Sequence, residues 1–242
     1  ALSSAASDVY KRQIINGTSE IAKAISIKCN EYGADLIIGV RNDAVSYELG
    51  IGKVFNILSS YESIDNFVRD ASPQLDGLVI SIGNVNLRPL TSVHPAWLNT
   101  QAEAHLNITV HLISALVRNK KLKSGASIVF ISSINGPIVA STGSTVYGML
   151  KSAITGFSKE IAKELSSNGI RSNCICAGMV ETEFIRSSFN EQQINKMKNM
   201  NLTHKLVTPE DISNAAIFLL SDLSKSITGT NIIIDGGYSV NL

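Results

Sequence analysis

Apolar residues along this chain fall into short continuous runs that alternate with segments in which they recur every three or four positions. Continuous runs are typical of strands buried on both faces, and the longer spacing is typical of amphipathic helices. The predicted strands are Ile14–Ile15, Leu36–Val40, Val54–Leu58, Gly77–Ile82, Ser127–Ser132, Arg171–Ala177 and Asn231–Ile234. The predicted helices are Glu20–Tyr32, Ser63–Asp70, Pro95–Lys121, Val146–Ser166 and Pro209–Ser221.

This alternation predicts the fold class. Repeated strand–helix–strand units need right-handed crossovers, and they produce a parallel sheet covered by helices on both faces. No linker or shift in composition divides the chain of 242 residues. We therefore expect a single α/β domain over residues 14–242, with a doubly wound parallel sheet of the Rossmann type.

The first thirteen residues do not continue the pattern. Ser3–Gln13 resembles the translation of a sequencing-library adaptor, and a genuine polar tail is the alternative. Apolar sequence then begins abruptly at Ile14, as if most of a buried strand had been cut away. We expect residues 1–13 to be an adaptor-derived or disordered tail in front of a truncated first strand.

Composition and charge exclude several classes of protein. Hydrophobic residues make up 44% and charged residues 17% of the chain, which excludes a disordered protein. The net charge of +1 provides no electrostatic footprint for nucleic acid or an anionic membrane. The uncharged stretch Ser124–Leu150 is too rich in polar residues for a membrane span. Three cysteines and no recognisable secretory leader predict a reducing, cytoplasmic location, with Cys174 and Cys176 as core thiols.

The turn after the first predicted strand is a candidate nucleotide loop. In doubly wound sheets, ligands bind beyond the carboxyl ends of the strands, where the strand order reverses. The loop Asn16–Ala22 keeps only one glycine, Gly17, although Asn16 can adopt a positive φ. Glu20 would repel a diphosphate unless its carboxylate points to solvent. An ordinary strand–helix turn explains this loop equally well.

The end of the second predicted strand bears on the choice of cofactor. A carboxylate at this position usually binds the 2′-hydroxyl of NAD, whereas a nearby arginine accommodates the 2′-phosphate of NADP. The chain has Val40 followed by Arg41 here. If the site binds a dinucleotide, this favours NADP(H) over NAD(H); a surface arginine after a strand is the alternative.

Tyr147 and Lys151 form the first catalytic candidate, because a spacing of four places both side chains on one helix face. A carbonyl that accepts hydride also needs a proton, which a tyrosine can donate as general acid. The reference pKa of a phenol, about 10, is high for this task, and an ammonium about 4 Å away would lower it by roughly three units. We therefore expect Lys151 to lower the pKa of Tyr147.

In order and spacing these segments resemble the short-chain dehydrogenase/reductase family, and the resemblance covers nearly all of residues 14–242. The matching segments are the loop at 16–22, Leu78–Gly83, Leu106–Thr109, Ile131–Ser133, Tyr147 to Lys151, Arg171–Thr182, Ile227–Gly229 and Asp235–Gly237. The resemblance implies hydride transfer between a nicotinamide and a carbonyl or alcohol. In length and C-terminal pattern the chain is most similar to 3-oxoacyl-carrier-protein reductases.

The resemblance also implies roles for individual residues. The catalytic tetrad would be Asn107, Ser133, Tyr147 and Lys151, with Ser133 preferred to Ser132 because Gly136 follows it at the family's usual offset. Ser133 would bind the developing oxyanion, Lys151 would hold the nicotinamide ribose, and Asn107 would hold a water that relays protons to Lys151. The implied cofactor-binding residues are Asn16, Gly17, Thr18, Ser19, Ile21, Arg41, Asn56, Ile57, Ser81, Ile82, Gly83, Tyr147, Lys151, Gly178, Val180 and Thr182.

Several positions depart from the family pattern. Loop glycines are missing, Ile80–Ile82 replaces an Asn-Asn-Ala run, and Asn56–Ile57 stands where an aspartate that contacts adenine is common. Ala177 replaces the usual proline, which loosens the turn before Gly178. These departures keep a second function open, a catalytically silent nucleotide-binding relative. An epimerase of the extended branch is disfavoured, because too little chain follows Thr182 for a separate substrate domain.

The remaining expectations concern the substrate and the assembly. By analogy the segment 182–205 is a mobile substrate lid, and its apolar residues (Phe184, Ile185, Phe189 and Met197) favour a hydrophobic or acyl substrate only weakly. The helices around Asn107 and Tyr147 are apolar enough to pair between subunits, which predicts a homodimer or homotetramer. The four histidines (His94, His105, His111 and His204) show no metal-ligand pattern, and the sequence assigns them no role.

Overall fold

The computed structural model describes residues 12–15, 19–41 and 50–241. Its strands lie close to the predicted ones, because long apolar runs between polar turns locate buried strands well. They are β1 (Arg12–Ile15), β2 (Leu36–Val40), β3 (Lys53–Asn56), β4 (Leu75–Ile80), β5 (Leu122–Ser133), β6 (Arg171–Ala177) and β7 (Asn231–Ile234). β1 begins two residues inside the segment that we expected to be a tail.

The helices alternate with these strands. They are α1 (Glu20–Glu31), α2 (Tyr61–Asn66), α3 (Pro95–Ala102), α4 (Ile108–Arg118), α5 (Thr145–Glu164), α6 (Glu183–Ser188), α7 (Glu191–Met200) and α8 (Pro209–Leu220). One turn of π-helix, Phe67–Ala71, extends α2, and another, Glu103–Asn107, joins α3 to α4. The segment predicted as one helix from Pro95 is therefore interrupted by a widened turn. None of the helices in the described ranges is both long and apolar enough to cross a bilayer.

All seven described strands form one parallel sheet in the order β3-β2-β1-β4-β5-β6-β7. The chain first builds outward from β1 to β3 and then crosses back to place β4 on the other side of β1. The strand order therefore reverses between β1 and β4, and a crevice opens beyond their carboxyl ends. This confirms the predicted doubly wound α/β fold.

Two apolar layers hold the helices against the sheet. Successive side chains of a strand point to opposite faces, so Leu78 and Ile80 of β4 pack on one face and Val79 packs on the other. The first face is covered by α4 and α5, whose Leu112 and Ile154 are buried, and the second by α1 and α8, which pack against each other. Because both faces are covered, the carboxyl edge of the sheet is left to carry the polar groups of the site.

Candidate active site

Polar side chains collect where β5 ends and α5 begins. β5 closes with Ser132 and Ser133, both buried, and a loop then leads to Tyr147 in the first turn of α5. Gly136 of this loop has a φ of +99°, and a side chain there would overlap the backbone of Gly148. This close approach of loop to helix places Ser133 and Tyr147 side by side.

Tyr147 makes its polar contact with Ser133. Burial raises the pKa of Tyr147 above its ordinary value, and the nearby Ser133 hydroxyl partly offsets that effect. The Ser133 oxygen accepts a hydrogen bond from the backbone N–H of Asn135 at 3.1 Å, which fixes its direction. The pair consists of a protonated phenol and an oriented hydroxyl, the two donors that a developing oxyanion needs.

Lys151 lies one turn further along α5, and its side chain is only 7% exposed. Its ammonium donates to the carbonyl of Ile131 at 3.2 Å and lies 5.8 Å from the centre of the Tyr147 ring. Burial lowers the pKa of Lys151 to about 8. The expectation that Lys151 lowers the pKa of Tyr147 was wrong for this structure: burial raises that pKa, and the group that acts to lower it is Ser133, while the Lys151 ammonium donates to Ile131.

The two serines at the end of β5 point in different directions. The Ser132 hydroxyl donates to the backbone carbonyl of Lys151 at 3.1 Å and so ties β5 to α5. Only the Ser133 hydroxyl reaches Tyr147. The structure thus brings Ser133, Tyr147 and Lys151 together.

Asn107 does not join this cluster. Its side chain is exposed, and its amide donates to the Glu103 carboxylate at 2.9 Å. The same carboxylate accepts from the hydroxyl of Tyr61 at 2.7 Å. The π-turn rotates Asn107 to the outer side of the helix, so the placement predicted for it needs correction.

His105, two residues earlier, is the helix residue that faces the cluster. It is 1% exposed, and its ring meets that of Tyr147 edge to face, with 5.9 Å between centroids and an interplanar angle of 86°. The sequence assigned this histidine no role. In the sequence, the only signal was that His105 lies two residues before Asn107. The helical register that turns His105 toward the site comes from the fold.

The residues expected to hold a cofactor are described in part. Asn16, Gly17 and Thr18 lie outside the described residues. The Ser19 hydroxyl accepts from the backbone N–H of Ala22 at 3.1 Å, so it caps α1; Ile21, beside it, is half-buried. After β4, Ser81 and Ile82 are buried, and Gly83 has a φ of +108° in a position where a side chain would overlap the ring of His105.

A cavity of about 360 Å³ opens beyond β2 and β3. It is lined by Arg41, Leu58, Ser59, Ser60, Tyr61, Glu103, Ala104 and Ile108. Asn56, at the end of β3, has a buried side-chain oxygen with no hydrogen-bond partner among the described residues. Ile57 is 1% exposed and belongs to the core, so its side chain does not line the cavity. The lining of the cavity combines Arg41 with apolar side chains. The unpartnered oxygen of Asn56 lies two residues before the lining residue Leu58 in the chain.

The turn after β6 is held by backbone contacts although Ala177 replaces a proline. The Ala177 carbonyl accepts from Ile134 at 3.0 Å, and the N–H of Gly178 donates to Ile234 at 2.8 Å. A side chain at Gly178 would come within 2.8 Å of Asp235, so this position requires glycine. These contacts hold the backbone on both sides of Ala177, and the looser turn expected from the missing proline stays a prediction.

The same turn leads into the segment that we expected to be a lid. Val180 is buried, and Thr182 is the residue before the first turn of the short helix α6, where its side chain makes no capping hydrogen bond. The Glu20 carboxylate at the start of α1 reaches this segment, where it accepts from the backbone N–H of Glu183 and from Arg186 at 2.9 Å. Partial burial acts to raise the pKa of Glu20, but these hydrogen bonds hold it below its ordinary value. Glu20 therefore points to the lid segment.

Comparison with known proteins agrees with this geometry. The family model described as enoyl-(acyl carrier protein) reductase matches residues 16–239. The chain is 35% identical over 197 residues to the 3-oxoacyl-[acyl-carrier-protein] reductase FabG of Chlamydia trachomatis, covering 81% of this chain and 72% of that protein. It is 29% identical over 187 residues to a 7alpha-hydroxysteroid dehydrogenase of Bacteroides fragilis, covering 76% of this chain and 72% of that protein.

Solved structures show the same fold. A 3-oxoacyl-[acyl-carrier protein] reductase with bound NAD from Brucella melitensis superposes with a TM-score of 0.84 at 23% identity, over 96% of this chain and 93% of that one. A short-chain dehydrogenase family protein from Francisella tularensis gives a TM-score of 0.83 at 24% identity, over 95% and 98% of the two chains. The chain belongs to the short-chain dehydrogenase/reductase family of oxidoreductases, whose members act on carbonyl and alcohol groups.

Proposed function

We propose that this protein is an NADP(H)-dependent carbonyl reductase of the 3-oxoacyl reductase type, in which Tyr147 protonates the oxygen that hydride transfer leaves negative. The observation that carries the proposal is that Tyr147, Ser133 and Lys151 come together where β5 ends and α5 begins: the Ser133 hydroxyl is close enough to lower the pKa of the Tyr147 phenol, and the buried Lys151 ammonium lies 5.8 Å from the centre of its ring. Taken singly, each of these side chains could have a purely structural role. Together, three polar groups that converge at the carboxyl edge of the sheet support catalysis.

The protonation states favour reduction. The raised pKa of Tyr147 keeps the phenol protonated at neutral pH, so it is ready to donate. Ser133 has one lone pair engaged by the N–H of Asn135, and its single hydroxyl hydrogen would turn from the Tyr147 phenol to the substrate oxygen when the substrate binds. Lys151 is a buried cation beside the phenol, and it stabilises the phenolate that forms when Tyr147 has given up its proton.

The described residues fit a nicotinamide dinucleotide, which supplies or accepts the hydride when bound. Gly83 and Gly178 lie at the carboxyl ends of β4 and β6, where the space beside each glycine is taken by His105 and Asp235, so what they offer a cofactor is their backbone. The unpartnered oxygen of Asn56 is an acceptor suited to an exocyclic amine such as that of adenine. Together with Asn16, Gly17, Thr18, Ser19, Ile21, Ser81, Ile82, Val180 and Thr182, these residues are the proposed cofactor contacts.

The preference for NADP(H) rests on Arg41. This exposed guanidinium lines the cavity beyond β2 and can pair with a 2′-phosphate. Glu103 in the same cavity carries the opposite charge, but its carboxylate already accepts from Tyr61 and Asn107. We expect Arg41→Ala to raise the Michaelis constant for NADPH by about 10- to 100-fold, the value of a charged hydrogen bond, and to leave that for NADH nearly unchanged.

A 3-oxoacyl substrate is supported by the relatives and by the lid segment. The relatives' names describe a reductase of acyl chains and a dehydrogenase of a steroid, both of them hydrophobic substrates. In the lid segment Phe184 is 53% exposed, whereas Ile185 is buried in the fold. Phe184 therefore has surface to offer a substrate, as do Leu202 and Met200 of the same segment, which are 54% and 38% exposed.

The assembly and the location are further parts of the proposal. We propose a homodimer or homotetramer that pairs through the apolar surface of α4 and α5, where Val110 and Met149 are 37% and 53% exposed. Light scattering that shows a monomer would contradict it. All three cysteines are described, buried and outside any disulfide, which supports a reducing, cytoplasmic setting.

The test is reduction of a short 3-oxoacyl thioester, followed by the loss of NADPH absorbance. We expect turnover by the wild-type chain and a loss of at least about 100-fold in Tyr147→Phe, because general acid catalysis contributes about 10²- to 10⁴-fold. Tyr32→Phe is the matched control, since Tyr32 follows the far end of α1. If both forms bind NADPH but the wild type reduces no ketone, the protein is the silent relative instead.

A further inference from the structure

The lid segment, residues 182–205, contacts the start of α1 through one carboxylate. Glu20, in the first turn of α1, accepts from the backbone N–H of Glu183 and from Nη2 of Arg186, the latter at 2.9 Å. A guanidinium and a backbone N–H are also the donors with which proteins commonly bind phosphate. The lid segment therefore presents two anion-binding donors to the amino end of α1.

The amino end of α1 is also where a dinucleotide is expected to place its charge. In doubly wound sheets the diphosphate of the cofactor binds at the N-terminus of the helix that follows the first strand. Here β1 and α1 form that unit, and β1 lies beside β4 where the strand order reverses. The Glu20 carboxylate and a bound diphosphate would therefore compete for the same donors.

Glu20 is ionised at this position. Partial burial acts to raise its pKa, but the hydrogen bonds from Glu183 and Arg186 and the charges of Arg186 and Lys23 hold it below its ordinary value. At neutral pH the carboxylate is negative, and like charges that are brought together oppose binding. A dinucleotide that binds here must displace Glu20 from the lid segment.

Arg186 can change this partner while it stays in place. Its Nη1 donates to the backbone carbonyl of Glu181 at 3.0 Å, and only Nη2 binds Glu20. The N–H of Glu181 donates to the Val207 carbonyl at 2.7 Å, which fixes the base of the segment independently of Glu20. The side chains of Arg186 and Glu20 are 49% and 32% exposed, so water weakens their ion pair. One nitrogen of the guanidinium is therefore available to a stronger anion.

We propose that Arg186 is a cofactor-binding residue that exchanges partners: its guanidinium leaves the Glu20 carboxylate and pairs with the diphosphate when a nicotinamide dinucleotide binds. Glu20 acts against binding, because its pair with Arg186 must open first. The exchange draws the lid segment onto the cofactor. The proposal rests on the proposed function only in that the site binds a dinucleotide, and it does not depend on turnover.

The test measures the Kd for NADPH by fluorescence in the wild-type chain, Glu20→Gln, Arg186→Gln and the double variant. Glu20→Gln should lower the Kd by about threefold or more, because the competing pair is removed. In that background Arg186→Gln should raise the Kd by about tenfold or more, the value of a charged hydrogen bond. In the wild-type background the same substitution should raise the Kd by less, because it also opens the pair with Glu20.

Adenosine 2′-monophosphate is the matched probe, because it carries the 2′-phosphate and lacks the diphosphate. In the Glu20→Gln background, Arg186→Gln should change its Kd by less than about twofold, since separate contacts act independently. Arg69→Gln is the matched control variant. Arg69 pairs with Asp70 at the same distance of 2.9 Å, in the turn that precedes the amino end of β4, and its loss should change the Kd for NADPH by less than about twofold.

Amide hydrogen exchange in α6 gives a second readout, because it reports local opening of the lid segment. NADPH should restore slow exchange in Glu20→Gln, in which Arg186 can pair with the diphosphate. It should not do so in the double variant, which lacks both partners of the exchange. A purely structural ion pair would give the same exchange in these two forms with NADPH bound.

Several results would overturn the proposal. One is a Kd for NADPH that is unchanged or higher in Glu20→Gln, since the pair with Arg186 would then support binding. Others are equal effects of Arg186→Gln on NADPH and on the monophosphate, equal α6 exchange in the two NADPH-bound variants, or a wild-type chain that binds no dinucleotide. If the wild type binds NADPH but reduces no ketone, the proposed function fails, whereas the Kd values still decide the role of Arg186.

Discussion

Replacing Lys151 with methionine should make the protein more stable while it abolishes activity. Burial lowers the pKa of Lys151 from 10.5 to about 8, and at 1.36 kcal/mol per unit this shift is an unfavourable contribution of about 3 kcal/mol at pH 7. Methionine loses the hydrogen bond to the Ile131 carbonyl, worth about 1 kcal/mol. The net expectation is a gain of about 2 kcal/mol, or about 4–8 °C in Tm for a domain of this size.

The pH dependence of stability distinguishes relief of the buried Lys151 charge from better packing of the methionine side chain. Between the folded pKa of about 8 and the unfolded value of 10.5, the unfolded wild-type chain binds more protons than the folded one, so wild-type stability rises with pH there. The penalty of the buried charge is complete below pH 8 and is lost above it. The advantage of Lys151→Met should therefore shrink as the pH rises from 8 to 10.

Urea unfolding of both forms at pH 7, 8, 9 and 10 measures the effect. Lys159→Met is the matched control, because Lys159 is exposed on the same helix, and it should stay within about 0.5 kcal/mol of wild type. Burial raises the pKa of Cys174 to about 12 and that of Cys176 to about 11, so these thiols lower the stability of every form at high pH. Removing Lys151 raises both pKa values further, and since the folded thiols are protonated up to pH 10 with or without Lys151, their contributions nearly cancel in the difference. A variant less stable than wild type at pH 7, or a difference that does not change with pH, would refute the reasoning.

Three further predictions concern the surroundings of the site. Gly83→Ala should lower the free energy of unfolding by about 2–4 kcal/mol in urea, because of its positive φ and the overlap with His105; a loss below 1 kcal/mol would contradict the close packing. Glu20→Gln should speed amide hydrogen exchange in α6, where Arg186 loses its charged partner, but should change global stability by less than about 1 kcal/mol, since both side chains are partly exposed. Asn107→Ala should leave kcat for ketone reduction within about twofold of wild type, and a larger loss would restore Asn107 to the catalytic set.

The sequence by itself determined the fold class and most of the sheet. The strands Leu36–Val40, Arg171–Ala177 and Asn231–Ile234 have the predicted bounds, because apolar runs between polar turns leave little choice of which residues are buried. The spacing of Tyr147 and Lys151 also placed two catalytic candidates on one helix face. Local periodicity carries this information, since it depends only on neighbours along the chain.

The tertiary structure decided which groups meet and how they are charged. The π-turn directs His105 toward the site and Asn107 away from it. This shift of helical register cannot be obtained from the spacing of residues alone. The protonation of Tyr147 and Lys151 follows from burial, which depends on α5 packing against β5 and not on the three residues that separate Tyr147 from Lys151. A short helical pattern fixes the face a side chain is on, but the solvent removed from it depends on distant parts of the chain.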